Sequence, residues 1–327
     1  VLKKVSRVVW VVIVVAVSLV VAAGALGLIF LKPDIPYPRL EAKYGGAQSR
    51  FMDLPGGLHI HYRDQGNPSG PPIVMVHGYS ASLQAWEPWV ARLGADYRIV
   101  TLDLPGHGLT RAPAAYVMSL DRFAEVIDTV AQRLRLGPYV VVGNSMGGGA
   151  AWTLALHHPD HLRALVLVDS IGWPEPSDDK ATPLIFKLMA TPVGRLILRH
   201  IDPRSMAQSG LRAAYVDPAL VTPALVDRYV DLARAPGHRA ILLNGENSKG
   251  PAVTAETLGA IKTPTLVMHG EADAIVPITV GRALAAAIPG AKLLTYPGVG
   301  HVPMEQSPDL SAHDLKAFIQ SLPARGA

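Results

Sequence analysis

Gly143-Asn144-Ser145-Met146-Gly147 carries the strongest chemical signal in the chain. It follows an apolar run, Tyr139–Val142, and precedes a helical stretch from Gly148 to Leu156. A serine at a sharp strand-to-helix turn is pushed out to where a substrate can reach it, and the crowded turn needs small residues on either side. Helix N-terminal amides then face any negative charge that develops at the serine oxygen. That arrangement suits nucleophilic acyl transfer. A serine hydroxyl is a weak nucleophile and needs a base, which in turn needs an acid to orient it. His301 lies in Gly298-Val299-Gly300-His301, just beyond the last apolar run, and is the candidate base. Asp273 closes Met268-His269-Gly270-Glu271-Ala272-Asp273 after another buried run and is the leading candidate acid. Asp169, directly after Val166–Val168, is its rival, while Glu271 reads as solvated. An oxyanion hole needs two backbone N–H groups aimed at one point. Met146 would give one, and Tyr79, in His77-Gly78-Tyr79-Ser80, the other.

Other residues of these types read as scaffold. Asp103, Gly106, His107 and Gly108 form a tight turn after a strand, and His77 reads as a loop residue rather than a base. His157 and His161 have a metal-like i, i+4 spacing, but Pro159 stops the helix between them, so a surface helix terminus is expected and no metal. Trp86 and Trp173 are candidates to line a substrate pocket. No cofactor is required.

Stepping outward, the elements that must position these residues are legible in the patterning. Arg50–Leu54 and Leu58–Asp64 flank Pro55-Gly56-Gly57 as a hairpin. Short runs at Ile73–Val76, Ile99–Leu102, Tyr139–Val142, Leu165–Val168, Thr265–Met268 and Lys292–Tyr296 read as buried strands. Amphipathic stretches such as Leu120–Leu136 lie between them. The alternation predicts an α/β fold with a mostly parallel sheet covered on both faces. Residues of about 171–250 break the rhythm with helical fragments interrupted by Pro183, Pro192, Pro203, Pro218 and Pro223, too long for a plain connection, and predict a helical lid over the C-terminal edge of the sheet.

Half of the 327 residues are hydrophobic and only 17% charged, which excludes a disordered chain. Cysteine is absent, which excludes disulfides, thiolate metal sites and a Cys nucleophile. The net charge of +4 sits wholly in residues 1–43, with six Lys/Arg and two acids, and the balanced remainder has no footprint for nucleic acid. From Val8 to Leu31 there is no charge; as a helix of about 36 Å it exceeds a hydrocarbon core of about 30 Å. Residues 1–31 therefore read as a single-pass membrane anchor, with Lys3, Lys4 and Arg7 favouring a cytoplasmic N-terminus and an extracytoplasmic body. A cleaved signal peptide, leaving a secreted or periplasmic protein, is the alternative. Residues 32–47 read as a stiff Pro-rich linker and 48–327 as one domain with its lid.

Taken in order, His77-Gly78, Asp103-Leu104-Pro105-Gly106-His107-Gly108, the pentapeptide around Ser145, His269-Gly270-Glu271-Ala272-Asp273 and Gly300-His301 resemble the α/β-hydrolase superfamily over roughly residues 50–322. With the N-terminal apolar segment, the chain resembles membrane-associated bacterial lipases and esterases and the membrane-anchored monoacylglycerol lipases. The resemblance implies a serine hydrolase acting on carboxylic esters, such as monoacylglycerols or medium-chain esters. The same elbow occurs in the carbon–carbon hydrolases of aromatic degradation, which keeps that chemistry open.

Overall fold

The computed structural model describes residues 2–173, 191–243 and 253–323. Eight strands form one sheet: β1 (Ser49–Leu54), β2 (Leu58–Gly66), β3 (Pro72–Val76), β4 (Arg98–Leu102), β5 (Tyr139–Asn144), β6 (Leu162–Val168), β7 (Thr265–Gly270) and β8 (Lys292–Tyr296). Their order is β1-β2-β4-β3-β5-β6-β7-β8. β2 runs antiparallel to β1 and β4, and the six strands from β4 to β8 are parallel. The expected strands are all present.

Strand alternation divides the core in two. Ile73 and Met75 of β3, with Val140 and Val142 of β5, face one side, while Val74, Val76 and Val141 face the other. The helices α2 (Glu87–Leu93) and α10 (Pro308–Ser321) cover the first side through Trp89, Leu315 and Phe318. The helices α3 (Leu120–Arg133), α4 (Met146–His157) and α9 (Ile278–Ala287) cover the second through Phe123, Ile127, Leu154 and Leu284. The start of α3 is fixed by Ser119, whose hydroxyl accepts the Arg122 N–H at 3.2 Å. From β3 the chain moves to β4 on one side and then to β5 on the other, so the sheet has its switch point at β3, and a crevice opens beyond the carboxyl ends of β3 and β5.

Between β6 and β7 the described residues form α5 (Pro192–Leu198), α6 (Arg204–Ala214), α7 (Pro223–Ala233) and α8 (His238–Leu243) rather than any strand. Residues 174–190 and 244–250 of the expected lid lie outside the described residues.

The amino-terminal region differs from its reading. α1 covers Leu2–Phe30. Among the described residues no helix is long and apolar enough to cross a membrane. The membrane span expected over 8–31 is therefore not found among the described residues. The segment read as a stiff linker is folded onto the domain. Tyr37–Leu40 is a helical turn, and Leu40 is buried with Leu109, Leu232 and Ala235. Leu31 bridges to Ile201, and the Arg239 guanidinium bonds to Lys32 O and to Asp34 Oδ1, both at 2.7 Å. A few apolar side chains suffice here because their partners on α7 and the turn after β4 would otherwise face water.

Candidate active site

Ser145 sits between β5 and α4 with φ +53° and ψ −118°. A non-glycine residue there costs on the order of 1–3 kcal/mol and persists only because its surroundings hold it. Three contacts do so. The Ser145 N–H donates to Val168 O at 3.0 Å, and Ser145 O accepts the N–H groups of Gly149 and Ile171. Gly147 is required by close approach: a Cβ there would lie 2.4 Å from Val76 O. Gly78 is required on the other side, where a Cβ would lie 2.9 Å from Asn144 Oδ1 and 3.0 Å from Ser145 Cβ. The loop after β3 is thereby pressed against the elbow, bringing Tyr79 beside Ser145 on the wall of one cavity.

His301 follows β8 and is held at its backbone from three directions. Its N–H donates to Ala214 O at 2.8 Å, its carbonyl accepts Asn144 Nδ2 at 3.1 Å, and the preceding Gly300 N–H donates to Gln306 Oε1 at 2.9 Å. His301 Nδ1 lies 2.7 Å from Asp273 Oδ2. The second oxygen of Asp273 accepts the N–H groups of Ile275 at 2.7 Å and Val276 at 3.0 Å. The Asp273 carboxylate is thus oriented by three donors, and its contact fixes the imidazole with Nε2 free to act. Ser145 and His301 line the same cavity without being hydrogen-bonded to each other, and such a bond commonly tightens only in the complex with substrate.

Sequence reasoning brings Ser145, Asp273, His301 and Tyr79 to one sheet edge, and the structure places them there. Met146 opens α4 directly after the elbow, at the end where helix amides are unpaired. Asp169 is close to Asp273, but no hydrogen bond or ion pair joins it to His301; it accepts the Gly270 N–H at 2.8 Å. The pocket residues are a correction. Trp86 is fully buried against Trp89, with ring centroids 5.3 Å apart, and Trp173 packs on the main core; neither is on the cavity wall. Aromatic side chains next to a reactive loop serve a core as readily as a pocket, and here the core takes them.

The cavity has a volume of about 650 Å³ and is walled mainly by Met118, Leu198, Met206, Leu211, Tyr229 and Met304. Most of these come from the helices between β6 and β7, where apolar spacing along α6 and α7 is the only signal that could have found them. Asn144 was also missed as a strut. Its amide bridges Val168 O and His301 O, tying elbow to histidine loop.

Among the described residues two groups have metal-like composition. Asp128, His158 and His161 cluster where α4 ends and β6 begins; the His161 ring lies 2.8 Å from Asp128, and His158 stacks on His161. Asp169, His269 and Asp273 form the second.

Residues 71–190 match the family model described as alpha/beta hydrolase fold, and 244–321 match one described as TAP-like protein. Both matches support placing the chain among the α/β hydrolases. It is 27% identical over 268 residues to monoacylglycerol lipase ABHD6 of Bos taurus, covering 80% of this chain and 79% of the relative. It is also 27% identical over 252 residues to 2-hydroxymuconate semialdehyde hydrolase of Pseudomonas sp. strain CF600, covering 76% and 86%. Among solved structures, a bacterial membrane phospholipase A shares the fold with a TM-score of 0.70 at 23% identity, covering 97% of this chain and 99% of that one. These likenesses support a hydrolase with esterase and lipase relatives. Equal identity to a monoacylglycerol lipase and to a semialdehyde hydrolase means that relatedness does not choose between substrates.

Proposed function

We propose that the protein is a serine hydrolase of carboxylic esters, acting on acyl lipids such as monoacylglycerols or on medium-chain esters. The observation that carries this is the cavity: Ser145 and His301 open into about 650 Å³ of almost wholly apolar space. A flexible acyl chain is stabilised there by about 0.8 kcal/mol per buried methylene. Among the described residues Arg239 is the only Lys, Arg, Asp or Glu on the wall, and Asp34 balances it.

In this reading His301 Nε2 removes the Ser145 proton and the hydroxyl oxygen attacks the ester carbonyl. The N–H groups of Met146 and Tyr79 hold the oxyanion as it forms. His301 protonates the leaving alcohol, and water releases the acyl group from Ser145 by the same steps in reverse. Asp273 keeps the imidazole in the tautomer with Nδ1–H and balances its charge. The helices α5–α8 form the lid of this site.

Ser145→Ala should abolish hydrolysis of p-nitrophenyl esters, and a fluorophosphonate should label Ser145. An acyl series from C2 to C16 should peak at medium or long chains. A peak at C2, or robust turnover of a vinylogous diketone with no ester cleavage, would favour the carbon–carbon reading that the second relative motivates.

We also propose that the leading helix anchors the protein in a membrane, with a cleaved signal peptide as the alternative. Its support is an uncovered apolar row, with Trp10 69% and Val20 71% exposed, a surface that water disfavours. Extraction of a membrane fraction with alkaline carbonate should leave the protein in the pellet with residues 1–31 intact. Release into the soluble fraction, with a new N-terminus near residue 24, would replace the anchor by a signal peptide.

A further inference from the structure

Beside the Asp273–His301 pair lies a second carboxyl group that the mechanism does not use. Asp169 follows β6 at φ +45° and is fully buried. Its Oδ1 accepts one bond, from the Gly270 N–H, and no donor reaches Oδ2. A carboxyl oxygen of Asp169, one of Asp273 and a ring nitrogen of His269 lie within 4.8 Å of one another. His269 does not neutralise the pair. Its Nε2 is 3.7 Å from Asp169 Oδ1 and 3.8 Å from Asp273 Oδ2, but at 2.9 Å it donates to Val276 O, and Nδ1 has no partner. Burial lowers the pKa of His269, which keeps the ring uncharged.

Two carboxylates this close, with no Lys or Arg among the described groups that act on Asp169, cannot both ionise at modest cost. The donor count decides which one keeps the proton. Asp273 is met by three donors and Asp169 by one. Burial, and then the Asp273 charge beside it, push the Asp169 carboxyl well above the usual carboxylate range, against the Gly270 N–H. The titratable groups facing it are Asp273, His269 and Tyr296, with His301 beyond Asp273.

We propose that Asp169 is a positioning residue held as the neutral acid, its proton on Oδ2 and shared with Asp273, so that the pair carries one negative charge and that charge faces His301. This rests on the reading of Asp273 and His301 given under Proposed function. Asp169 thereby acts through Asp273 and touches no substrate.

The test uses the full chain in detergent. Asp169→Asn is the close mimic of the neutral acid, keeping an acceptor for Gly270 and an N–H in place of the O–H. At pH 7 the infrared spectrum of the wild type should contain a protonated-carboxyl C=O band that Asp169→Asn and Asp169→Ala both lose. With p-nitrophenyl butyrate, Asp169→Asn should keep kcat/KM within about threefold and leave the acid limb of its pH profile in place, while Asp169→Ala should lose about tenfold in kcat. A missing band, or an acid limb moved down by about 0.5 pH unit or more in Asp169→Asn, would overturn the proposal, because removing a true negative charge lowers the histidine pKa. Loss of activity in Asp169→Asn as large as that of Asp273→Asn would make Asp169 the orienting acid instead. If fluorophosphonate fails to label Ser145, the ester reading falls on its own, and the infrared band still decides the state of Asp169.

Discussion

Two buried Asp–His pairs stand on either side of Ser145. Asp103 Oδ2 lies 2.6 Å from His61 Nδ1, and Asp273 Oδ2 lies 2.7 Å from His301 Nδ1. Each aspartate also accepts two backbone N–H groups, Leu83 and Leu109 for the first, Ile275 and Val276 for the second. By distance and burial they are nearly the same object. They differ in what the far side of the histidine meets. His301 lines the cavity with Ser145, whereas His61 Nε2 is 2.7 Å from the Ser49 hydroxyl in the sheet edge. Asp103 and His61 therefore fasten loops: Leu83 and Leu109 belong to the turns after β3 and β4, and His77 of the Tyr79 loop accepts the Leu104 N–H at 3.1 Å. An Asp–His pair becomes chemistry only when a nucleophile and a space for substrate share its open edge.

Mutations should separate the two pairs cleanly. Asp273→Asn should lower kcat by about 10⁴-fold, with little change in melting temperature, since an orienting acid sets the tautomer of its histidine. Steady-state kinetics beside calorimetry would show it; a stability loss with kcat intact would mean that the two pairs are alike after all.

Asp103→Asn should do the reverse, costing about 3 kcal/mol of stability, as for other broken buried pairs, with kcat per folded molecule unchanged within about threefold. Burial alone would raise the Asp103 pKa, but the hydrogen bond and charge of His61, then His77 and the Leu109 N–H, outweigh it and hold the carboxyl well below the usual range. A depressed carboxylate stabilises the fold above its unfolded pKa of about 4 and loses that contribution as pH falls below it. The gap between wild type and Asp103→Asn in urea unfolding should thus be full at pH 7 and narrow below about pH 4. A constant gap would assign the role of Asp103 to packing rather than charge.

Tyr79→Phe sharpens the comparison at its finest. The Tyr79 hydroxyl donates to Leu242 O at 3.1 Å, linking the loop to α8. Losing it should cost about 1 kcal/mol of stability and change kcat by about twofold or less, because the oxyanion role belongs to the backbone N–H. A drop of about a hundredfold would move that role to the side chain.

Much of this was legible beforehand, for physical reasons. Short β-branched runs such as Val140–Val142 can only be buried strands, and the crowding at Gly143 and Gly147 admits one kind of turn. The spatial meeting of Ser145, Asp273 and His301 follows once each is placed after a parallel strand, since all such loops share an edge. What escaped depends on partners far away in the chain. Tyr37 and Leu40 look like linker until Leu109 and Leu232 are seen beneath them. Trp86 looks like pocket until Trp89 fills its face. The pairing of Asp169 with Asp273 depends on where β6 and β7 end side by side, which no local pattern encodes.

The docked segment before β1 also bears on where the protein can be cut. Ending the domain at the hairpin, as composition suggests, would strip Asp34 from the Arg239 guanidinium and uncover Leu109 and Leu232. It would also take the strand-like bridge of Leu31 away from Ile201, which is on the cavity wall. A soluble version for crystallisation or inhibitor screening should accordingly begin near residue 31 rather than near 46, so that the wall a ligand meets is the native one.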